Sequence, residues 1–426
     1  YCARCQTCSE ACHIYISSGR KEIYRPTYRA EVLRRLIKKF TSNGGSFKAK
    51  FLGDVELNAK TILRLAECAY RCNLCRRCAQ YCPLGLDNGL IAREIRKLFV
   101  QELGIAPQAL HAQGTAKHLT TGSSTGLTPD GFKDMIEFME EEIKEKTGKS
   151  IKIPVDEKGS DILLIHNAGE YLSWPENVEA FAIIFEEAGL DWTLSSEMVG
   201  YDAVNYGVWY DDVQLSRIAL KHAEIARKLD VNRIVVGECG HAHKALTVVA
   251  DRIFVGEYQI PRESCLPLLW DIVKKKLNLD PQKNDFPVTL HDPCNVVRLM
   301  GIVEPQRNVL KEICPKFREM EPNGVYNYCC GGGSGFAIMN SMNFPEFRQK
   351  VSSRMKFKQI LSAFQDSISP EVKKYVCAPC SNCKGAIRDI LSHYNATVNC
   401  GIHYGGLVEL VVNAMVDLEQ PYIELL

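Results

Sequence analysis

Two runs of four cysteines lie near the start of the chain, and their spacing is suited to binding iron. Both have the form C-x2-C-x2-C-x3-C, and their members are Cys2, Cys5, Cys8 and Cys12 in the first run and Cys72, Cys75, Cys78 and Cys82 in the second. Three cysteines at intervals of three in an open loop can each bind one iron of a cubane cluster. A zinc site needs two C-x2-C pairs a dozen or more residues apart. The runs therefore predict two cubane [4Fe-4S] clusters.

The fourth cysteine of each run is predicted to bind the cluster of the other run, because paired runs of this spacing exchange their last ligand. The predicted ligand sets are Cys2, Cys5, Cys8 and Cys82 for cluster one and Cys72, Cys75, Cys78 and Cys12 for cluster two. Between the runs, YRAEVLRRLIKKF and ELNAKTILRLAECAYRC place apolar residues at helical spacing. Residues 1–105 are therefore predicted to form an α-helical domain, which resembles the α-helical ferredoxins of respiratory complexes.

A second group of cysteines lies in the last third of the chain. It comprises one cysteine after the strand-like run FPVTLHD, a CC pair before three glycines in YNYCCGGGSGF, and three cysteines in CAPCSNCK: Cys294, Cys329, Cys330, Cys377, Cys380 and Cys383. The side chains of adjacent cysteines diverge, so a CC pair is poorly suited to a single cubane. Neighbouring glycines let the backbone approach a bulky group. This pattern predicts an unusual iron-sulfur cluster.

This second group resembles the cysteine-rich CCG motif of the heterodisulfide reductase family. The resemblance implies a noncubane [4Fe-4S] cluster held by five cysteines, which are here Cys294, Cys329, Cys330, Cys380 and Cys383. Cys377 is then a spare thiol. Three roles stay open for it: a ligand in place of Cys380, a redox-active thiol beside the cluster, or a buried packing residue.

After residue 157 short apolar runs alternate with helical patterns, which predicts α/β structure with mainly parallel sheet. The same order of parts occurs twice. The predicted divisions are a linker and charged helix at 106–157, a first half at 158–280 and a second half at 281–426. The expected fold class is α+β multidomain, with an N-terminal α-helical double-cubane ferredoxin domain followed by two repeated α/β CCG-type halves.

The first half lacks the ligands for a full cluster. Ala168 stands where the lone cysteine belongs, the CC pair is missing near Val199, and GECGHAHKA retains Cys239 alone. Cys239 and His241 are predicted to act beside the cluster of the second half, because histidine suits proton transfer near neutral pH. By contrast, His291 is predicted to be a structural residue at a strand end. The segment GGGSGF is predicted to form a flexible rim around the CC pair.

The combination of two cubane runs, a degenerate half and an intact half resembles the DsrK-type iron-sulfur catalytic subunits of the DsrMKJOP membrane complex and related archaeal menaquinol-oxidizing enzymes. The resemblance implies a reductase of a disulfide or trisulfide on a small thiol carrier protein (DsrC-like). It implies electrons from an integral membrane haem b subunit (DsrM-like), together with other subunits of the complex. The expected location is peripheral, on the cytoplasmic side of the membrane.

Two other functions share these motifs. One is an electron-transfer iron-sulfur subunit of a glycolate or lactate oxidase-type complex, in which a flavin partner performs the chemistry. The other is the two-cluster subunit of a heterodisulfide reductase that acts on small thiols, against which Ala168 argues. The 52 basic and 51 acidic residues, without a basic stripe, argue against nucleic acid. Apolar runs such as GLVELVVNAMV are shorter than the ~20 residues of a membrane span.

Overall fold

A computed structural model of the chain describes residues 2–52, 54–123, 125–197, 211–243, 254–336, 343–344 and 346–425, with the backbone alone at Leu52, Gln113 and Ala168. Within these ranges an α-helical N-terminal part precedes two α/β halves, so the predicted fold class is confirmed. The position near Val199, where the first half lacks its CC pair, lies outside the described residues.

The N-terminal part is built from helices that frame the two cysteine runs. These helices are α1 (Thr7–Ala11), α2 (His13–Ser17), α3 (Pro26–Thr41), α4 (Gly45–Leu52), α5 (Ala59–Tyr70), α6 (Arg77–Gln80) and α7 (Asn88–Leu103). The side chains of Asn58 and Asp87 cap the first turns of α5 and α7 by accepting backbone N–H groups. Leu65, Ala69, Ile95 and Phe99 form the core between these two helices. The second cysteine run lies between them.

The segment 106–157 is helical for most of its length and is not a plain linker. It contains α8 (Gln108–Leu110), a π-helical stretch (His111–Ala116), α9 (Lys117–Thr121) and the charged helix α10 (Pro129–Thr147). One face of α10 is buried through Phe132, Ile136, Met139 and Ile143. The Gly, Ser and Thr content of the stretch before α10 concealed helices that are held by tertiary contacts, since Ala109 and Leu110 are fully buried.

Each half contains a four-stranded parallel sheet. The first sheet has the order β2-β1-β3-β4, with β1 (Ile162–Ile165), β2 (Trp192–Thr193), β3 (Arg233–Val236) and β4 (Arg262–Ser264). The second has the order β6-β5-β7-β8, with β5 (Val288–Leu290), β6 (Phe317–Arg318), β7 (Lys374–Cys377) and β8 (Ile402–Gly405). The two orders are identical when β1–β4 are matched to β5–β8. This identity confirms the predicted structural repeat.

Helices surround both sheets. They are α11 (Ala168–Ser173), α12 (Pro175–Glu187), α13 (Asp212–Lys228), α14 (Gly240–His243) and α15 (Cys265–Lys275) in the first half, then α16 (Cys294–Leu299), α17 (Glu304–Ile313), a π-helical stretch (Arg348–Ser352), α18 (Arg354–Ala363), α19 (Ser381–His393), α20 (Ala396–Cys400) and α21 (Leu407–Asn413) in the second. The halves pack reciprocally, α12 on α21 and α15 on α17, and share one hydrophobic core. Among the described residues no helix combines the length and apolarity needed to cross a membrane.

A buried carboxylate joins the two halves. Glu238, at the end of β3, is fully buried, and its Oε1 accepts the backbone N–H groups of Leu407 (2.9 Å) and Val408 (3.2 Å) at the start of α21. Its Oε2 accepts a hydrogen bond from Nδ2 of Asn177 at 3.0 Å. Burial raises the pKa of Glu238 to about 7. The first half therefore caps a helix of the second half with a group that titrates near neutral pH.

The Glu238→Gln variant is expected to weaken the pH dependence of stability. Because the folded-state pKa lies above the unfolded value of about 4.3, the native state binds the extra proton between these values and loses stability as pH rises from about 4.3 to about 7. The contribution is at most about 3 kcal/mol. Thermal unfolding followed by visible absorbance at about pH 5 and about pH 8 should show a smaller difference for the variant than for wild type. Glu141→Gln, at an exposed position, is the control, and an unchanged difference in Glu238→Gln would contradict the role.

Candidate iron-sulfur centres

The cysteines predicted for cluster one line a single cavity. Cys2, Cys5, Cys8 and Cys82 face it together with Pro83 and Leu84. Cys2 and Cys5 are exposed, whereas Cys8 is buried. The Cys5 thiol lies 3.3 Å from the Thr7 hydroxyl, which lowers the pKa of Cys5. This arrangement brings the predicted fourth ligand from the second run to the first run, and it places cluster one near the surface.

The cysteines predicted for cluster two form a separate, deeper group. The thiols of Cys12, Cys72, Cys75 and Cys78 are close enough to influence one another's ionisation. Burial raises the pKa of Cys12 to about 12. Arg29 is only 4% exposed, and its Nη2 lies 3.8 Å from Sγ of Cys72. A buried cation whose neighbours are sulfur atoms fits an anionic cluster, because an unpaired buried charge is otherwise costly.

The CC pair and the last cysteine motif meet at the carboxyl ends of β5 and β7. Sγ of Cys330 and Sγ of Cys383 are 3.3 Å apart, and the thiol of Cys329 is in contact with those of Cys294 and Cys330. Contact with Cys329 and Cys383 lowers the pKa of Cys330 well below its usual value. Cys380 lies beside Cys383. The structure therefore brings together all five cysteines that the sequence proposed as ligands.

Two glycines allow the backbone to reach these sulfur atoms. The N–H of Gly331 points to Sγ of Cys329 at 3.3 Å, and that of Gly332 to Sγ of Cys330 at 3.4 Å. Gly331 has φ +87°, and a Cβ there would lie 2.4 Å from the Ser353 hydroxyl. The glycine segment is buried from 331 to 336. The expectation of a flexible rim is therefore wrong for this segment, which packs beneath the CC pair.

Cys377 lies apart from the other cysteines of its motif. It is the last residue of β7 and is fully buried in the core that contains Val288 and Leu290. Cys380 and Cys383 belong instead to the packed group around Cys329 and Cys330. Burial raises the pKa of the Cys377 thiol well above its usual value. Of the three roles left open for Cys377, this geometry favours that of a packing residue.

The degenerate first half reaches into the site of the second half. Helix α14 packs on α16, and the N–H of Gly240 points to Sγ of Cys380 at 3.4 Å. Nδ1 of His241 lies 2.9 Å from Nδ2 of Asn382, and a Cβ on Gly333 would be 3.6 Å from the histidine ring. His241 therefore lines the predicted cluster site, as expected from the sequence.

Cys239 and His243 occupy the interior behind this contact. The Cys239 thiol is fully buried, lies 3.7 Å from Nδ2 of Asn167, and is close enough to Cys380 to affect its ionisation. His243 is fully buried between the Cys239 carbonyl (2.8 Å) and the Ser264 hydroxyl (2.6 Å), and burial lowers its pKa to about 4. His243 is thus a neutral structural residue, while Cys239 neighbours the predicted ligands.

Two polar residues at the site escaped sequence reasoning. A ring nitrogen of His291 and the Sγ atoms of Cys330 and Cys383 lie within 4.8 Å of one another, so His291 is a site residue and not simply a strand end. Lys356 is fully buried, and its Nζ donates to Oδ1 of Asn327 (2.6 Å) and to Gln359. Its neighbours across the site are the cysteine thiols. A lysine within the otherwise apolar helix face of MKFKQIL was the available signal.

The cluster-two loop is joined directly to the CC pair. The thiols of Cys75 and Cys329 are in hydrogen-bonding contact. Asn73, in the same loop, donates to the Gly331 carbonyl at 3.0 Å, and Oδ1 of Asn73 lies 2.8 Å from Nε2 of His13. Fully buried Arg96 donates to the carbonyls of Cys72 (2.6 Å) and Ser334 (3.2 Å). These contacts hold the second cysteine run against the site of the second half.

Comparison with known proteins agrees with this arrangement. A family described as 4Fe-4S dicluster domain matches residues 1–86, and a family described as cysteine-rich domain matches residues 288–388. The chain is 26% identical, over 97% of its length and 79% of the relative, to Hdr-like menaquinol oxidoreductase iron-sulfur subunit 2 of Archaeoglobus fulgidus. It is 25% identical, with the same coverage, to the Hdr-like menaquinol oxidoreductase iron-sulfur subunit of Archaeoglobus profundus.

A third relative belongs to the dihydromethanophenazine:CoB–CoM heterodisulfide reductase of Methanosarcina acetivorans, and it is 24% identical over 78% of each chain. The similarity to the two Archaeoglobus subunits spans both cysteine-rich regions and the degenerate half between them. The two matched families account for the cysteines that the structure gathers at its three thiol groups. The chain is an iron-sulfur oxidoreductase subunit of the heterodisulfide-reductase-like type.

Proposed function

We propose that this chain binds two cubane clusters and one noncubane [4Fe-4S] cluster, and that it reduces a disulfide or trisulfide on a small thiol carrier protein of the DsrC type. The ligand sets are those predicted from the sequence, with Cys380 and not Cys377 in the noncubane set. Electrons enter from a quinol through an integral membrane haem b subunit of the DsrM type. The chain lies peripherally on the cytoplasmic side of the membrane, in a complex of dissimilatory sulfur metabolism.

The contact between Cys75 and Cys329 carries this proposal. It joins a predicted ligand of cluster two to a predicted ligand of the third cluster. Cluster one lies near the surface, since Cys2 and Cys5 are exposed. An electron that enters at the surface therefore has a continuous route to the CC pair, and the five cysteines there are the end of that route.

The residues around the CC pair supply what disulfide cleavage needs besides electrons. A noncubane cluster, when bound, supplies electrons and an iron that can bind a sulfur atom. Cleavage also consumes two protons. Because Nδ2 of Asn382 donates to Nδ1 of His241, the His241 proton lies on Nε2, the side that faces Gly333. Burial lowers the pKa of His291, so its imidazole is neutral beside Cys330.

Positive charge around the thiols comes from Lys356. Its Nζ is buried without a carboxylate partner in the described structure, and the thiols of Cys329, Cys330 and Cys383 are its anionic neighbours. Such a charge stabilises thiolates and any added electron in a site of low polarity. Gly240 contributes a backbone N–H to Cys380 for the same purpose. We assign these groups the role of holding negative charge during reduction.

The test is an iron count and EPR spectroscopy of the anaerobically purified protein. We expect about twelve irons per chain. In the oxidised state we expect an unusual paramagnetic signal that shifts when the reduced thiol carrier protein is added. A shift with the carrier and not with small methanogen thiols would assign the substrate class. About eight irons, with only ordinary reduced-cubane signals that ignore thiols, would contradict the proposal.

One observation favours the electron-transfer alternative. Cys329, Cys330, Cys380 and Cys383 are each at most 4% exposed in the described structure, so a bulky protein disulfide has no open approach to them there. In that alternative the third cluster relays electrons, and a flavoprotein partner performs the chemistry. Co-purification of a flavoprotein, together with a thiol-insensitive third cluster, would establish it.

A further inference from the structure

An aromatic tip projects from the N-terminal part at the turn between α3 and α4. Phe40 is 59% exposed at the end of α3, and Phe47 and Phe51 on α4 are 70% and 76% exposed. The rings of Phe47 and Phe51 are one helical turn apart with centroids 5.2 Å from each other, so they form one apolar face. Exposed aromatic side chains gain nothing from folding of this chain alone.

Lysines surround this tip. Lys38, Lys48 and Lys50 are exposed and form no ion pair within the described residues. Lys39 is the exception, since its Nζ lies 2.8 Å from Asp54. The tip therefore presents a small apolar face within a basic border. Asp54 and Glu56 are the nearby acidic residues in sequence, and Asp54 is already paired.

The type of basic residue discriminates between two kinds of partner. Lysine is depleted in protein–protein interfaces, where arginine and aromatic residues are enriched. Aromatic residues together with lysines are instead typical of segments that lie in the interface of a bilayer, where anionic headgroups attract the ammonium groups. The arginines of α3, Arg34 and Arg35, lie nearer its start and are paired with Glu31. The tip thus has the composition of a lipid contact.

Helix α3 connects the tip to cluster one. Its start lies at the cluster-one cavity, which Thr27 lines, and its end carries Phe40. A groove lined by Arg4, Glu31, Lys38, Lys48 and Asp54 runs along the same side of the hairpin. At a rise of about 1.5 Å per residue, the two ends of α3 are roughly 22 Å apart. Anchoring the tip would therefore restrict how the exposed cysteines Cys2 and Cys5 face a membrane.

We infer that the α3–α4 tip, through Phe40, Phe47 and Phe51 and the lysines Lys38, Lys48 and Lys50, binds the surface of an anionic lipid bilayer. The apolar face enters the headgroup boundary and the lysines contact the phosphates. This contact is independent of the reaction proposed for the cysteine sites, because it requires only the exposed side chains of the tip.

The test is flotation of the cluster-loaded protein with vesicles of phosphatidylglycerol and phosphatidylcholine. We expect the wild type to float with mixed vesicles and not with pure phosphatidylcholine. The double variant Phe47→Ser/Phe51→Ser is expected to reduce the partition coefficient about tenfold or more. The triple variant Lys38→Gln/Lys48→Gln/Lys50→Gln is expected to remove the dependence on phosphatidylglycerol. Val398→Ser, on α20 and 74% exposed, is the matched control and is expected to float normally.

Unchanged visible and EPR spectra show that the variants remain folded, which is expected because the replaced side chains are exposed. Absence of wild-type flotation on both kinds of vesicle would overturn the inference. Flotation that is unaffected in both tip variants would also overturn it. If the tip variants lose co-purification with a membrane subunit while vesicle binding stays unchanged, the tip is a protein interface and the inference is again overturned.

Discussion

The Cys380→Ser variant is expected to lose the noncubane cluster, about four irons per chain, whereas Cys377→Ser is expected to keep all of its iron. Cys380 lies beside Cys383 and accepts the N–H of Gly240 at 3.4 Å. Cys377, only three residues earlier, is enclosed in the aliphatic core behind β7. Iron counts and EPR spectra of the two variants measure the difference directly. The signals of the two cubanes should persist in both.

A matched control separates loss of a ligand from loss of packing. Cys314 is also a buried cysteine of the shared core, so Cys314→Ser and Cys377→Ser should behave alike. Each places a hydroxyl in an apolar site, at a cost of about 1–3 kcal/mol in the free energy of unfolding. Their thermal unfolding should therefore occur at lower temperature while iron content stays complete. Full iron in Cys380→Ser together with loss in Cys377→Ser would reverse the assignment.

The Lys356→Met variant is expected to lower the reduction potential of the noncubane cluster by roughly 100 mV, the effect of removing a unit charge about 7 Å away at an effective dielectric constant near 20. A positive charge stabilises the more negative reduced state, so its removal makes reduction harder. Lys356 is fully buried, with the thiols of Cys329, Cys330 and Cys383 as its anionic neighbours. An EPR-monitored redox titration measures the shift.

The pH dependence of this potential gives a second readout. Burial lowers the pKa of Lys356 to about 7, so the lysine loses its charge as pH rises through this value. The difference between wild type and Lys356→Met should therefore be largest near about pH 6 and become smaller above about pH 7. Lys358→Met, on the same helix and exposed, is the control. Equal potentials in Lys356→Met and Lys358→Met would refute an electrostatic role for Lys356.

Local spacing was enough to predict the ligand groups and the central strands. The cysteine runs were recognisable because a cubane requires ligands at short, fixed intervals. Strands β1, β3, β5 and β7 were recognisable because burial on both faces requires continuous apolar runs such as ILLI. The lateral strands β2 and β6 have two residues each, which is too short for any period to be seen. The helices within residues 108–121 were not predictable, because tertiary burial and not their own pattern holds them.

By itself, the sequence determined which cysteines form the three thiol groups and that one half had lost its ligands, because both follow from residue identity at fixed intervals. Only the tertiary structure decided how these groups are joined. Contacts between distant segments bring Cys75 to Cys329, Gly240 to Cys380 and buried Lys356 to the CC pair. It also separated Cys377 from Cys380, since the direction of a side chain at a strand end depends on the sheet that the strand joins.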